Sequence, residues 1–156
     1  MKRALAFTAL LLVVGIAMAA CESDPLGVDP RNVTFAPELG IDLDAMTRTS
    51  SGLYYQDMEE GTGATAAAGS NVSAYYRGWL PNGTLFEETQ PPEDPISFEL
   101  GIGFVIAGWD EGLVGMRAGG VRKLVIPPSL GFGNQAVGPI PANSVLVFEV
   151  NLVAVE

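Results

Sequence analysis

The residues best placed to form a binding site lie around Trp109. Four apolar residues recur at helical spacing, which predicts a short helix with one apolar face: Ile106, Trp109, Leu113 and Met116. Core packing is the simpler interpretation of such a face, and Leu113 and Met116 fit it. Glycines on both sides of Trp109 leave little bulk near its indole, so the ring could instead floor an open cavity. That cavity would suit a neutral, apolar ligand.

The composition excludes most of the common catalytic chemistries. The chain of 156 residues has no histidine, which removes the usual general base and most zinc sites. The carboxylate pairs Glu87–Glu88 and Glu93–Asp94 fall in a segment without the spacing of a calcium-binding loop. The glycine-rich segments lack the spacing of phosphate-binding loops. We therefore expect no metal site and no cofactor.

The charge and length limit the class of protein further. Lysine and arginine number 8 against 18 acidic residues, a formal net charge of -10. Such an acidic chain is poorly suited to bind nucleic acid, and we expect none as a partner. The length suffices for one domain with a real core.

The N-terminus has the order of parts of a secretory signal. Lys2 and Arg3 precede an almost unbroken apolar run, and Ala19 and Ala20 lead into Cys21, the sole cysteine of the chain. Together with Met18, the residues Ala19, Ala20 and Cys21 resemble a bacterial lipobox. We therefore expect residues 1–20 to be a signal peptide and Cys21 to be acylated. Two alternatives are ordinary cleavage that leaves a free thiol, and an uncleaved anchor.

This interpretation predicts a location. The domain would be exported and lipid-anchored to a bacterial membrane, on its extracytoplasmic side, and periplasmic where there are two membranes. Residues 21–49 contain three prolines and little periodicity, so we expect a tether with at most a short ordered piece around residues 39–46. The folded domain is predicted to span residues 50–156.

The sequence from residue 50 onward is mostly typical of β-strands. Tyr76 lies on the apolar face of an alternating run, and Asn82-Gly83 predicts a hairpin turn with positive φ at both residues. The segment 87–95 is predicted to be an acidic loop. About five antiparallel strands, one short helix and long loops indicate an α+β domain whose twisted sheet wraps the helix.

Several segments together resemble one family. They are Tyr76-Arg77-Gly78, Leu85-Phe86-Glu87, residues 104–112 (FVIAGWDEG), Gly131-Phe132-Gly133, Ile140-Pro141 and residues 146–150 (LVFEV). In order and rough spacing these are similar to the FKBP-type peptidyl-prolyl isomerases, over about residues 52–156. The resemblance implies an antiparallel half-barrel sheet around one short helix. It also implies catalysis of rotation about Xaa–Pro bonds.

The resemblance also implies the site residues. The catalytic set would be Tyr76, Phe86, Glu87, Ile106, Trp109, Phe132 and Phe148, and the further substrate-binding set would be Ile96, Val105 and Ile140. In this family the proline ring lies over the tryptophan, and the backbone N–H that Ile106 supplies here binds a substrate carbonyl. The implied partners are exported proteins that are unfolded or partly folded and contain Xaa–Pro bonds, together with macrolide inhibitors. We expect a monomer attached to the membrane through its lipid.

Three departures from the family pattern bear on activity. The chain has Glu87 where the family usually has Asp, Phe132 where it usually has Tyr, and Ile96 where it usually has Phe. Loss of the tyrosine hydroxyl removes one hydrogen bond to substrate, which contributes about 0.5–1.5 kcal/mol. Reduced activity is one expectation. The alternative is a non-catalytic proline-peptide-binding module or holdase chaperone on the same fold.

Overall fold

The protein is built on one antiparallel sheet, described here from a computed structural model for residues 28–156. The predicted signal peptide and Cys21 lie outside the described residues. The strands are β1 (Thr47–Arg48), β2 (Tyr54–Glu59), β3 (Asn71–Trp79), β4 (Leu85–Thr89), β5 (Ile96–Glu99), β6 (Val121–Ile126) and β7 (Leu146–Val155). Between β5 and β6 lies a single short α-helix, α1 (Ala107–Gly112).

Strand β3 pairs with three other strands of the sheet. The strand order is β1-β2-β6-β7-β3-β4, and β5 also pairs with β3. One edge of β3 pairs with β7 along most of its length, whereas its other edge is shared: β5 pairs with residues 71–74 and β4 with residues 76–79. The sheet is therefore antiparallel throughout and partly wraps α1. The α+β fold class predicted from the sequence is confirmed, with seven strands rather than about five.

Helix α1 lies close against the inner face of the sheet because two of its residues have no side chain. A Cβ atom at Gly108 would lie 2.6 Å from Ile126 Cγ2, and one at Gly112 would lie 2.8 Å from Leu124 Cδ2. This close approach buries Trp109 and Leu113 in the main core. Leu113 and Met116 are fully buried core residues, as the simpler interpretation of the apolar face required.

The outer face of the sheet is covered by residues that the sequence assigned to the tether. Leu39 and Met46 are buried there against Tyr54, Val125 and Val147. The Nζ of Lys123 also donates to Leu39 O at 2.8 Å, and Ala36 N donates to Pro81 O at 2.7 Å. The ordered piece expected around residues 39–46 is therefore present. Residues 28–49 differ from the predicted tether because their apolar residues pack against the apolar outer face of the sheet.

The hairpin turn predicted at residues 81–83 is confirmed, since it joins the antiparallel strands β3 and β4. Two local details differ from the expectation. Only Gly83 of the Asn82-Gly83 pair has positive φ (88°), because the tight turn is centred on Pro81 and Asn82, and Gly83 follows it. Residues 87–89 extend β4 instead of forming a loop, since Gly78 and Glu87 remain in register across the ladder. Among residues 28–156, no helix is long and apolar enough to cross a membrane.

Candidate active site

One apolar cavity of about 230 Å³ opens between α1 and the sheet. Its walls come from four strands or their ends, the helix and two loops. The lining residues are Tyr76, Glu87, Ile96, Phe104, Val105, Ile106, Trp109, Phe132 and Phe148. Apart from the carboxylate of Glu87 and the hydroxyl of Tyr76, these side chains are apolar, so the cavity favours an uncharged, compact apolar group.

Three aromatic contacts fix Trp109 at the base of the cavity. Its ring meets Tyr76 at a centroid distance of 5.0 Å and Phe148 at 5.4 Å, both edge to face, and it meets Phe98 at 5.9 Å. Each such geometry is favourable for aromatic rings. The indole is only 3% exposed, and its Nε1–H finds no acceptor among residues 28–156. The Trp109 ring thus belongs both to the hydrophobic core and to the lining of the cavity.

A glycine on β3 makes room for two further rings. A Cβ at Gly78 would lie 2.7 Å from both Phe86 and Phe148 side-chain atoms, which is closer than carbon atoms approach in proteins. Phe86 and Phe148 meet edge to face with their centroids 5.6 Å apart. Gly78 therefore leaves room for both rings, and Phe86 packs against Phe148.

Ile106 supplies a backbone donor at the edge of the cavity. As the residue preceding α1, it accepts hydrogen bonds on its carbonyl from Trp109 N (2.9 Å) and Asp110 N (3.2 Å). Its own N–H makes no hydrogen bond within residues 28–156. A half-buried backbone N–H without a partner is costly unless a ligand or water accepts from it. This donor is available to a ligand carbonyl.

The polar corner of the cavity is formed by Tyr76 and Glu87. Burial raises the pKa of the Tyr76 hydroxyl, and the hydrogen bond and negative charge of Glu87 raise it further, while a hydrogen bond with Thr89 acts in the opposite direction. The surroundings of the phenol therefore favour its neutral form. Glu87 reaches the position from β4, where it pairs with Gly78.

Most of the predicted site residues meet in this cavity. The exceptions are Phe86, which packs behind Phe148, and Ile140, which is 5% exposed and part of the main core. Ile140 is set by a tight turn in which it and Val137 exchange both backbone hydrogen bonds at 2.9 Å. Neither residue lines the cavity.

The sequence interpretation missed one lining residue. Phe104 forms part of the wall, although 71% of it is exposed. The available signal was its place directly before Val105 and Ile106, two residues that the sequence did assign to the site. Within residues 28–156, no group of three or more His, Cys, Asp or Glu side chains is placed to hold a metal ion.

Comparison with known proteins assigns the chain to a family. Residues 63–153 match the model of the FKBP-type peptidyl-prolyl cis-trans isomerases. The chain belongs to this family. Its FKBP-type domain contains all of the predicted site residues from Tyr76 to Phe148.

Individual relatives agree with this assignment. The chain is 46% identical over 105 residues to an FK506-binding protein of Neisseria meningitidis serogroup B, covering 67% of this chain and 96% of the relative. It is also 46% identical over 107 residues to FK506-binding protein 1A of Neurospora crassa, covering 67% and 89%.

Solved structures share the fold. AtFKBP13 superposes with a TM-score of 0.66 at 35% identity, covering 70% of this chain and 97% of that one. FkpA from Escherichia coli gives 0.67 at 38% identity, covering 77% of this chain and 55% of FkpA. The FKBP-like half-barrel predicted from the sequence is confirmed.

Membership of this family establishes the type of reaction that the protein catalyses. FKBP-type proteins are peptidyl-prolyl cis-trans isomerases, and their domains bind proline-containing peptides and macrolides such as FK506. The cavity has the chemistry that this reaction requires, since bond rotation needs no covalent step and no proton transfer. The prediction of an FKBP-type enzyme is confirmed.

Proposed function

We propose that this FKBP-type isomerase acts on exported proteins while held at a bacterial membrane by a lipid on Cys21. The sequence supports the location: a basic start, a short apolar run and small residues precede the sole cysteine. Several acyl chains would anchor firmly, since each buried CH₂ contributes about 0.8 kcal/mol. Its substrates would be unfolded segments with slow Xaa–Pro bonds.

The cavity around Trp109 is the observation that carries the proposed mechanism. Rotation about a peptide bond faces a barrier of about 18–20 kcal/mol, because resonance must be broken. A turnover near ~10³ s⁻¹ requires lowering it by about 7 kcal/mol, at ~1.36 kcal/mol per tenfold. The apolar walls favour the twisted amide, whose charge separation is smaller than that of the planar form. The proline ring would lie over the indole.

The Ile106 N–H supplies the directional part of the mechanism. It would bind a substrate carbonyl next to the proline and hold the peptide while the bond rotates. Because this donor is fixed by the start of α1, it needs no rearrangement as the bond twists. Tyr76 and Glu87 would orient the polar side of the peptide.

Phe132 motivates a second candidate function. It lies in the cavity wall but has no hydroxyl with which to hold the substrate. A cavity that binds proline peptides without accelerating rotation would be a binding module or holdase. We favour the isomerase, because one lost neutral hydrogen bond contributes only about 0.5–1.5 kcal/mol.

NMR exchange spectroscopy on an Ala-Leu-Pro-Phe-type peptide separates the two functions. The protein would be residues 22–156, without signal or lipid but with the N-terminal segment that packs on the sheet. We expect faster cis–trans exchange at catalytic protein concentration, and slower exchange again after addition of FK506. Peptide chemical-shift changes without faster exchange would favour the binding module.

The membrane proposal needs a separate test in cells. Bacteria expressing the full chain would be labelled with an alkyne fatty acid, and the Cys21→Ser variant would serve as control. We expect label on the natural chain in the membrane fraction and no label on the variant. An unlabelled natural chain in the soluble fraction would contradict lipid anchoring while leaving the isomerase activity untouched.

A further inference from the structure

The turn of the β3–β4 hairpin contacts the N-terminal arm, defined here as residues 33–39. Ala36 N donates a hydrogen bond to Pro81 O, in this turn, at 2.7 Å. A Cβ atom added at Gly83 would lie only 2.5 Å from Glu38 Oε1 and 3.3 Å from Ala36 Cβ. The arm therefore packs directly against the turn and bonds to its backbone.

The arm is attached to the sheet at a point away from the hairpin. Leu39 is 5% exposed and packs on the outer face of the sheet, and its carbonyl accepts from Lys123 Nζ at 2.8 Å. Lys123 lies on β6, which β7 and β3 separate from β4 in the strand order. The Leu39 amide also donates to Ala36 O at 3.0 Å. The arm thus connects the hairpin turn to β6.

Strand β4 has only one neighbouring strand. Among the described residues it pairs with β3 alone, at the edge of the sheet. Its pairing shifts register between Gly78 and Trp79, close to the turn, and such a shift interrupts the regular ladder. Glu87 pairs with Gly78 at this point, and its side chain lines the cavity. The position of Glu87 therefore depends on how the hairpin turn is held.

We propose that Ala36 is a positioning residue for the site: its N–H holds the hairpin turn so that Glu87 keeps its place beside Tyr76. The proposal rests on the proposed function, in which Tyr76 and Glu87 orient the peptide. No residue of the arm lines the cavity, so Ala36 acts only through the hairpin. The family model matches residues 63–153, so the arm also lies outside the matched region.

The substitution Ala36→Pro removes the donor while keeping the local backbone conformation. Ala36 has a φ of -61°, close to the value that the proline ring imposes, and proline has no backbone N–H. Ala36→Ser is the matched control, because it keeps the N–H at the same position. Both variants would be made in the protein of residues 22–156, which includes every residue that the structure describes.

Three measurements follow the effect from the turn to the site. Hydrogen exchange of the Leu80 and Gly83 amides, which bond to Thr84 O and Leu80 O at 2.9 Å, reports on the turn. Ultraviolet titration reports on Glu87, because burial and the Glu87 carboxylate raise the pKa of Tyr76. Exchange NMR of the Ala-Leu-Pro-Phe-type peptide gives kcat/KM.

In Ala36→Pro we expect the turn amides to exchange faster and kcat/KM to fall, each by about twofold to tenfold, because one hydrogen bond is lost. Tyr76 should ionise at lower pH, closer to its behaviour in Glu87→Gln. Ala36→Ser should match the natural chain in all three measurements. When Glu87→Gln is already present, Ala36→Pro should lower kcat/KM by a smaller factor than it does in the natural chain.

Two results would overturn the proposal. If the Tyr76 titration is unchanged in Ala36→Pro, the arm does not position Glu87, and faster exchange of the turn amides reflects stability alone. If Ala36→Pro lowers kcat/KM by the same factor with and without Glu87, the turn acts on the site by another route. A natural chain that binds the peptide without accelerating its exchange contradicts the isomerase proposal alone, and the Tyr76 titration then still decides whether the arm positions Glu87.

Discussion

Trp109 and Phe148 meet edge to face with their ring centroids 5.4 Å apart, which joins helix α1 to the longest strand, β7. Both residues are buried to within a few per cent and both line the cavity. The site wall and the core are therefore made of the same side chains. Substitutions at Trp109 or Phe148 should therefore change activity and stability together.

Replacing Trp109 with smaller side chains should show how strongly kcat/KM depends on the area of the cavity floor. We expect Trp109→Phe to lower kcat/KM by about tenfold and Trp109→Ala by about a hundredfold, because the proline loses the broad face beneath it. Exchange NMR measures the rate. Trp109→Ala should also lower the free energy of unfolding by about 3–5 kcal/mol. Normal turnover in either folded variant would contradict the assignment of the indole to the floor.

The N-terminal segment should contribute to stability even though it is far from the cavity. Leu39 is 5% exposed on the outer face of the sheet, so we expect Leu39→Ala to cost about 2–5 kcal/mol in urea unfolding. Thr34→Ala is the control, because Thr34 is exposed in the same segment. If residues 50–156 alone proved as stable as residues 22–156, this segment would be the tether that its sequence suggests.

Much of the site could be predicted from the sequence because its residues belong to regular elements. Tyr76 alternates along β3, Phe148 alternates along β7, and Trp109 follows helical spacing, so each pattern fixed the direction of its side chain. The motif spacing then brought the three together. The helix itself is short, but the glycines that permit its close packing are visible in the sequence.

Other features could be predicted only in part, because they depend on contacts that only the folded sheet and helix create. Leu39 and Met46 have no periodic pattern. They are buried because they pack against Val125 and Val147 on the outer face of the sheet. Phe104 begins the 104–112 segment that carries the family resemblance, but its place on the cavity wall follows from the hydrogen bonds between Asp110 and the loop, which no sequence pattern shows.

The ion pair between Arg122 and Asp57 should contribute more to stability than an ion pair on the protein surface. Arg122 is 6% exposed and bonds Asp57 at 2.7 and 2.9 Å. It also donates to Gly112 O, at the end of α1, at 2.8 Å. Because Asp57→Asn leaves a buried guanidinium without its counter-charge, we expect it to cost about 1–3 kcal/mol, discounted for the 34% exposure of the Asp57 side chain.

An exposed pair offers the matched control. Arg77 and Glu88 bond at 3.2 Å with side chains 47% and 45% exposed, so Glu88→Gln should cost less than about 0.5 kcal/mol. Urea unfolding of both variants gives the comparison. Equal losses would mean that burial of Arg122 adds nothing to the strength of its ion pair.

The Tyr76–Glu87 corner should make stability depend on alkaline pH. Burial and the Glu87 carboxylate raise the pKa of Tyr76 in the folded chain above its unfolded value of about 10. Folding thus favours the neutral phenol. This contribution is complete below the unfolded pKa and is lost as pH rises toward and through the folded value.

Two variants test this dependence. Ultraviolet titration should show one tyrosine that ionises late, which disappears in Tyr76→Phe and ionises at lower pH in Glu87→Gln. Unfolding free energies should fall more steeply above about pH 10 in the natural chain than in Tyr76→Phe. Parallel losses in the two proteins would show that the environment of Tyr76 does not favour its neutral form. Because Glu87 also lines the cavity, kcat/KM measured on the same Glu87→Gln sample would reveal whether the carboxylate orients the peptide as well as the phenol.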